Sequence, residues 1–380
     1  MLCMILVSCT GQKTGKENDN NDKIAIEVGE IKFPPQDVLQ LKSYYLSSSV
    51  HVDSIDYLIG YNYRLHSLDC MNLKSKSVTQ IVLPGDGPDA IVRLSGIYAQ
   101  SLDSVWISDE SERAFLIDSV GTVKRMIDLK KYLEDQEQLL INTNYAMFTS
   151  HLFYNASRHS LMFLVKHTPS NTFIVKEAFI DEVGKMATYQ LSSSKVVPDM
   201  SKGYAYINFP NVNFVGENIV YNYPVESSIY MLDIRTNERK YILADSHYTS
   251  NIIEKCTTSG DYATLEKHWL ENSHFYDIMY LPKYKIYARL HADKVDFDEK
   301  KGMEKLINER DLYLMLFDEN MEKIGETKLS NCRYSPFTSW NATYGGIALF
   351  VDNVLDEKNN TDDLTIDIIS EMKLLCVVWL

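Results

Sequence analysis

The sequence predicts an all-β chain: a six-bladed β-propeller of four-stranded antiparallel blades with short helical insertions. Three observations carry that expectation. The 380 residues are 45% hydrophobic and include 25 Tyr and 14 Phe against 16 Gly, a composition that suits pleated, half-buried surfaces and supplies a sizeable core. Apolar, alternating runs that stop at an Asp recur six times, at Asp69, Asp118, Asp181, Asp233, Asp318 and Asp367, with a base period of about fifty residues and two expansions, from 118 to 181 and from 233 to 318. A second strand-like run precedes most of these, so each unit is a short meander that can cover its faces only by stacking on neighbouring copies. A β-sandwich is the rival architecture, and a six-fold internal period of this length argues against it.

The elements follow in chain order. The first residues, MLCMILVSCTGQ, place a short apolar run and small residues ahead of Cys9. This resembles a bacterial lipobox, with Leu6 three residues before the cysteine and Ser8 directly before it. The resemblance implies removal of residues 1–8 and lipidation of Cys9. Residues 10–22 (TGQKTGKENDNND) hold no bulky apolar side chain and read as a solvated tether. The chain therefore divides into residues 1–22, lipoprotein signal and flexible tether, and residues 23–380, the propeller. Lys13 and Lys16 stand where surface-exported lipoproteins tend to carry acids directly after the cysteine, so a periplasm-facing anchor in the bacterial cell envelope is expected.

Residues 23–33 alternate apolar and polar side chains and are expected to close the ring as the outer strand of the sixth blade. Residues 372–380 (MKLLCVVWL) compete for that place. In the clearest units the Asp precedes a turn, as at Ser119-Val120-Gly121, Arg235-Thr236-Asn237 and Glu319-Asn320. A carboxylate at a strand end can accept a backbone N–H two residues on and begin an Asx-turn, so turn formation suffices to explain these acids. Residues 130–141 (KKYLEDQEQLLI) and 261–275 (DYATLEKHWLENSHF) are expected to be helical. The charged segment 296–310 is expected to form an exposed hairpin tip or helix. Cys70, Cys256, Cys332 and Cys376 lie far apart with no Cys-x-x-Cys, which favours buried thiols over a zinc or redox centre.

Two stretches resemble a family. Leu83-Pro84-Gly85-Asp86-Gly87-Pro88-Asp89-Ala90-Ile91 is similar to the Gly-x-Gly-Pro motif between the first two blades of six-bladed β-propeller lipoproteins of Bacteroidetes-type bacteria, a group with no assigned activity. His274-Phe275-Tyr276-Asp277-Ile278-Met279-Tyr280, with Tyr287-Ala288-Arg289 after it, resembles the same group's Tyr-rich strand pair, with Ala288 where an aromatic is often found. On their own chemistry, Gly85 and Gly87 can take a positive φ and Pro88 fixes the following turn, which redirects the chain between blades. No Gly-Lys-Ser/Thr follows, so a phosphate cradle is not indicated. Arg289, with Tyr287, Tyr276 and His274, is the candidate ligand-binding set, an arginine beside tyrosines being able to capture an anionic group. Inter-blade pairing is the competing role.

Charge and motifs limit the chemistry. With 38 Lys+Arg against 52 Asp+Glu, the formal charge of −14 would repel phosphate backbones, so nucleic acid is excluded as a partner. Gly-x-Ser-x-Gly, His-Glu-x-x-His and sialidase-type Asp boxes are absent. His268, Glu271 and His274 recur every three residues, and on a helix the two histidines would diverge by roughly 240°. A Ca²⁺ site would need oxygen ligands from several blades; Asp109, Asn155 and Asn222, read as ends of second strands, are its candidates. The favoured expectation is a non-enzymatic module, tethered by its lipid, that binds an envelope protein or glycan and needs no cofactor. A Ca²⁺-dependent, lactonase-like hydrolase acting at the central channel and a structural envelope scaffold are the alternatives.

Overall fold

Each expected unit folds into its own antiparallel sheet in the computed structural model, which describes residues 24–374 apart from 35–40, 141–151, 183, 198–203, 205–208, 257–260, 337–339 and 359–361. Blade 1 runs from its inner to its outer strand as Ser47–Val52, Ile55–Asn62, Ser67–Asn72 and Val78–Val82. Blade 2 is Leu94–Ser101, Ser104–Asp109, Arg113–Ile117 and Val123–Asp128. Blade 3 has an interrupted inner strand, Glu137–Leu139 and Phe153–Asn155, both paired with Ser160–His167, followed by Thr172–Phe179 and Met186–Gln190. Blade 4 is Asn211–Val215, Asn218–Asn222, Ile229–Asp233 and Arg239–Ile242, and blade 5 is His274–Leu281, Ile286–Ala292, Leu312–Phe317 and Lys323–Lys328.

Blade 6 settles how the ring closes. Its inner three strands are Trp340–Ala342, Ile347–Phe350 and Leu364–Leu374, and its outer strand is Ile24–Phe33, paired with Leu364–Leu374 from Ile24 opposite Leu374 to Phe33 opposite Leu364. The N-terminal strand is thus the clasp. The competing segment contributes its first residues to the third strand, and residues 375–380 lie outside the described residues, as do residues 1–22 with Cys9.

Antiparallel order fixes two faces. First-to-second and third-to-fourth turns lie on one, here called the turn face. Second-to-third turns and the connections between blades lie on the other, the loop face. The described connections between blades and the long second-to-third connection of blade 5 fall on the loop face. Helix α1 (Tyr262–Leu270) lies between blades 4 and 5, where Asp261 caps it by accepting the Ala263 N–H. Helix α2 (Met303–Asn308) lies in the second-to-third connection of blade 5.

The cores lie between blades. One cluster joins Ile59, Leu68 and Cys70 of blade 1 to Ile97, Ile107 and Phe115 of blade 2. Another joins Phe33, Ile366 and Phe350 of blade 6 to Tyr44 and Leu58 of blade 1. Each such side chain contributes about 1.5–3 kcal/mol on burial, so neighbouring blades stabilise one another and an isolated blade would expose both its apolar faces.

Two expectations are corrected. The described part of the segment 130–141, residues 130–140, forms no α-helix: a single 3₁₀ turn, Leu129–Tyr132, gives way to the strand Glu137–Leu139. Leu133, Leu139 and Leu140 offer no pair three or four apart to sustain a helical stripe, and strand pairing opposite Val165–His167 buries Leu139 instead. The repeating Asp is also not one structural position. Asp118, Asp233 and Asp318 each close a third strand and begin an Asx-turn, accepting N–H groups from Val120, Arg235 and Asn320. Asp69 and Asp367 instead stand inside their third strands, fully buried. In blade 1 the Asx-turn is made by Asn72, which accepts from Lys74 and Ser75.

Candidate functional site

Inner strands line the axis of a propeller, so a channel ligand would meet their side chains first. A cavity of about 390 Å³ occupies this channel, with at least one lining residue from the inner strand of every blade. It reaches the first-to-second turns at Gly216 and Pro282 and therefore extends towards the turn face. Its wall mixes the Ser47, Ser49 and Asn341 side chains with Tyr98, Phe214 and Trp340. Several of these polar groups tie blades together: Asn341 Nδ2 donates to Ser47 Oγ at 2.7 Å, and Ser49 Oγ donates to the Ala342 carbonyl.

A second concavity, of about 800 Å³, lies on the loop face at the seam of blades 1 and 2. Tyr45 enters blade 1, Tyr61, Tyr63 and His66 border its second-to-third turn, and Gly85 with residues 91–93 comes from the connection to blade 2. Tyr61 forms the buried floor at 2% exposure, while Tyr63 is 49% exposed. The Tyr45 ring lies 5.9 Å from Tyr63 and 6.4 Å edge-on from Tyr61, forming an aromatic corner. His66 holds the turn to the connection by contacting the Tyr61 hydroxyl through Nδ1 and the Ile91 carbonyl through Nε2, at 3.1 and 2.9 Å. Its φ of +51° places it in the left-handed region, a conformation tolerated where surrounding contacts fix it. Of the two motif glycines only Gly87 takes a positive φ, +81°; the turn closes through the Ile91 N–H on the Pro84 carbonyl at 2.8 Å.

The residues singled out from the sequence fall elsewhere. Arg289 and Tyr287 lie on the second strand of blade 5, one strand outward from the channel. Arg289 has 0% exposure and donates to the carbonyls of Ser227 at 2.6 Å and Ala244 at 2.9 Å, with Phe275 and Phe317 rings against its guanidinium. Burial lowers its pKa to about 9. These bonds stitch blade 5 to blade 4. Tyr287 packs on Tyr280, and Tyr276 donates to the Pro336 carbonyl while meeting Trp340 edge-on. His274 Nε2 contacts the Trp269 carbonyl at 2.8 Å, and burial, with Arg310 nearby, holds its imidazole well below the usual value.

Asp109, Asn155 and Asn222 are not at equivalent positions. Asp109 and Asn222 end second strands, on the loop face, whereas Asn155 ends the inner strand of blade 3, on the turn face. This corrects the reading of all three as ends of second strands. Asp109 accepts from Arg113 and from the Val92 and Ser111 N–H groups, and Asn155 accepts from Ser157. Asn222 donates to the Phe275 carbonyl. Among the described residues no group of three or more His, Cys, Asp or Glu gathers in a metal-holding arrangement.

The sequence reading missed Tyr45, Tyr61 and Tyr63 of the groove and Asp277 and Trp340 of the channel. The paired tyrosines at 44–45 and 61–63, both ahead of the Gly-Pro motif in the chain, were the available signal for the first set.

Buried acids elsewhere hold blades in register. Glu326 of blade 5 accepts from Ser246 Oγ at 2.6 Å and the His247 N–H at 3.0 Å, with His291 Nε2 at 2.7 Å. Burial opposes its ionisation, but these partners outweigh it and bring the carboxyl down to about 2 from 4.5. Burial lowers the pKa of His291. A depressed acid contributes stability above its unfolded value that is lost as pH falls towards its folded value. Asp69 and Glu226, raised by burial, act in the opposite sense. A Glu326→Gln variant also removes the acid that raises the pKa of His291, so it tests the pair as a unit: denaturant unfolding at pH 7 is expected to show a loss of about 1–3 kcal/mol. A variant as stable as the parent would contradict the assignment.

Comparison with known proteins supports the same architecture. A family model described as "Domain of unknown function (DUF4221)" matches residues 17–328. The crystal structure of a member of that family from Bacteroides vulgatus ATCC 8482 superposes with a TM-score of 0.76 at 13% identity, covering 93% of this chain and all of its own. A candidate exported protein of Bacteroides fragilis NCTC 9343 superposes with a TM-score of 0.55 at 13% identity, covering 92% and 95%. At such identity the likeness shows the fold alone. No curated protein matches the chain.

Proposed function

Because the chain belongs to the DUF4221 family, whose Bacteroides structure shares its six-bladed ring, we propose that it is a lipid-anchored binding module of the cell envelope that takes up a neutral glycan on its loop face. The observation that carries this reading is the groove between blades 1 and 2. Aromatic walls with a few fixed polar groups are the usual makeup of a ligand cleft, and about 800 Å³ lies within the common size range. The Tyr45–Tyr63 corner offers ring faces to the C–H surfaces of sugar rings, and Arg93 borders it with hydrogen-bond donors, while His66 spends both ring nitrogens on holding the turn. A chain of net charge −14 disfavours a polyanionic glycan. Attachment through Cys9, facing the periplasm, would hold this groove near envelope polysaccharide at the end of a tether. The lipobox-like residues support it, as does the relative described as a candidate exported protein.

The test is calorimetric titration with neutral hexasaccharides of mannose, galactose and N-acetylglucosamine. At least one is expected to bind, and Tyr63→Ala is expected to weaken it roughly three- to tenfold, the equivalent of about 0.5–1.5 kcal/mol for one aromatic contact. Tyr63 is half-exposed, so the variant should fold. Binding untouched by Tyr63→Ala and Tyr45→Ala, or no binding at millimolar sugar, would refute the proposal.

A further inference from the structure

The channel cavity has a composition of its own. Asp277 is the sole acid among the described residues lining it, and no Lys, Arg or His stands among them. A β-bulge puts this carboxylate there. The register between the first two strands of blade 5 passes from Phe275 opposite His291 to Ile278 opposite Arg289, so Tyr276 and Asp277 share the place of a single residue. Such an extra residue re-aims the side chains beside it. Trp340 of blade 6 then donates its indole N–H to Asp277 Oδ1 at 2.8 Å and fixes the carboxylate on the wall. The surrounding surface is aromatic: Tyr98, Phe153, Phe214, Tyr280 and Trp340 line the same cavity, with Phe153 stacked on Phe214 at 4.8 Å and Tyr98 edge-on to Phe153 at 5.1 Å.

One negative group within a ring of aromatic surfaces selects against an anion and towards a cation, because ring faces attract positive charge. It also selects against a bare divalent metal, which demands about six to eight oxygen ligands. Of the polar neighbours, Asn213 directs Nδ2 to the Ile278 carbonyl and Asn341 directs its own to Ser47. We infer that the central channel binds a small organic ammonium ion, with Asp277 as counter-ion and the aromatic side chains of Trp340 and its neighbours as the walls. This site is separate from the loop-face groove, and a cavity of about 390 Å³ suits a small molecule.

The test uses choline, its neutral isostere 3,3-dimethyl-1-butanol, and CaCl₂, each titrated into the full propeller by calorimetry, with Trp fluorescence as a second readout. Choline is expected to bind at least tenfold more tightly than the isostere. Asp277→Asn, whose amide oxygen can still accept the Trp340 N–H, should lose about tenfold of that affinity while melting near the parent temperature. Trp340→Phe should weaken choline and remove the fluorescence response. Equal binding of isostere and ammonium, a response to Ca²⁺ without one to choline, or no choline binding up to about 10 mM, weaker than roughly 3 kcal/mol of binding free energy, would overturn the inference.

Discussion

Deleting Ile24–Phe33 is expected to abolish cooperative unfolding of the chain. The strand pairs along its length with Leu364–Leu374, and each hydrogen bond lost removes a net ~0.5–1.5 kcal/mol. Phe33 is completely buried between blades 6 and 1, where removal of such a side chain costs about 3–5 kcal/mol. Arg333 adds a clamp: it donates to both oxygens of the buried Asp367 at 2.5 and 2.9 Å and to Glu30 of the clasp at 2.9 Å. Without Ile24–Phe33 that contact is lost and an unpaired strand edge is exposed to other chains. The sum approaches the whole stability of a typical domain, about 5–15 kcal/mol. Circular dichroism melting and gel filtration should therefore show a broad, non-cooperative transition and self-association, while a peptide of residues 23–33 added in trans restores part of the sharp transition. A truncated chain that stays monomeric and melts within a few degrees of the parent would show that the ring closes without the clasp.

Replacing Arg289 with Met is expected to destabilise the chain by several kcal/mol and leave ligand binding at the groove unchanged. The guanidinium is fully buried and satisfies two main-chain carbonyls of the blade 4 region. Methionine fills much of the same volume but donates nothing, leaving each carbonyl buried at a cost of about 1–3 kcal/mol. Some of that is recovered, because burying an arginine carries its own desolvation penalty. Urea unfolding should give a loss of about 2–5 kcal/mol with an unchanged slope. A loss below about 0.5 kcal/mol, accompanied by loss of affinity for an anion, would restore the ligand-binding role that the sequence suggested for this residue.

The architecture was legible because its cause is local. The strand-ending acids at 118, 233 and 318 mark real Asx-turns, and the alternation in residues 23–33 marks a strand with one covered face. An apolar residue directly before an Asp also arises inside a strand, as at Leu68-Asp69 and Ile366-Asp367, where tertiary partners such as Tyr44 and Arg333 decide the outcome. Periodicity alone does not separate these cases. The segment at 130–141 failed similarly, since a charged run with scattered leucines says nothing of the partner strand at Val165–His167.

Concavities were legible only in part. The Gly-Pro motif was visible, but its role as one wall of a groove depends on tyrosines far back in the chain. Arg289 drew notice for its chemistry, yet its strand is second in the sheet, and neighbouring strands stand about 4.8 Å apart, enough to take a side chain out of the channel and into the blade seam. Asp277 and Trp340 meet across 63 residues through a bulge that no residue pattern announces.

Hydrogen exchange of the full propeller, with and without a saturating neutral hexasaccharide, tests the central claim most directly. Protection is expected at residues 61–66 and 83–93, the two loop-face segments that wall the tyrosine groove. Protection confined to the turn-face ends of the inner strands, around 213–216 and 279–282, or none in either place, would contradict it.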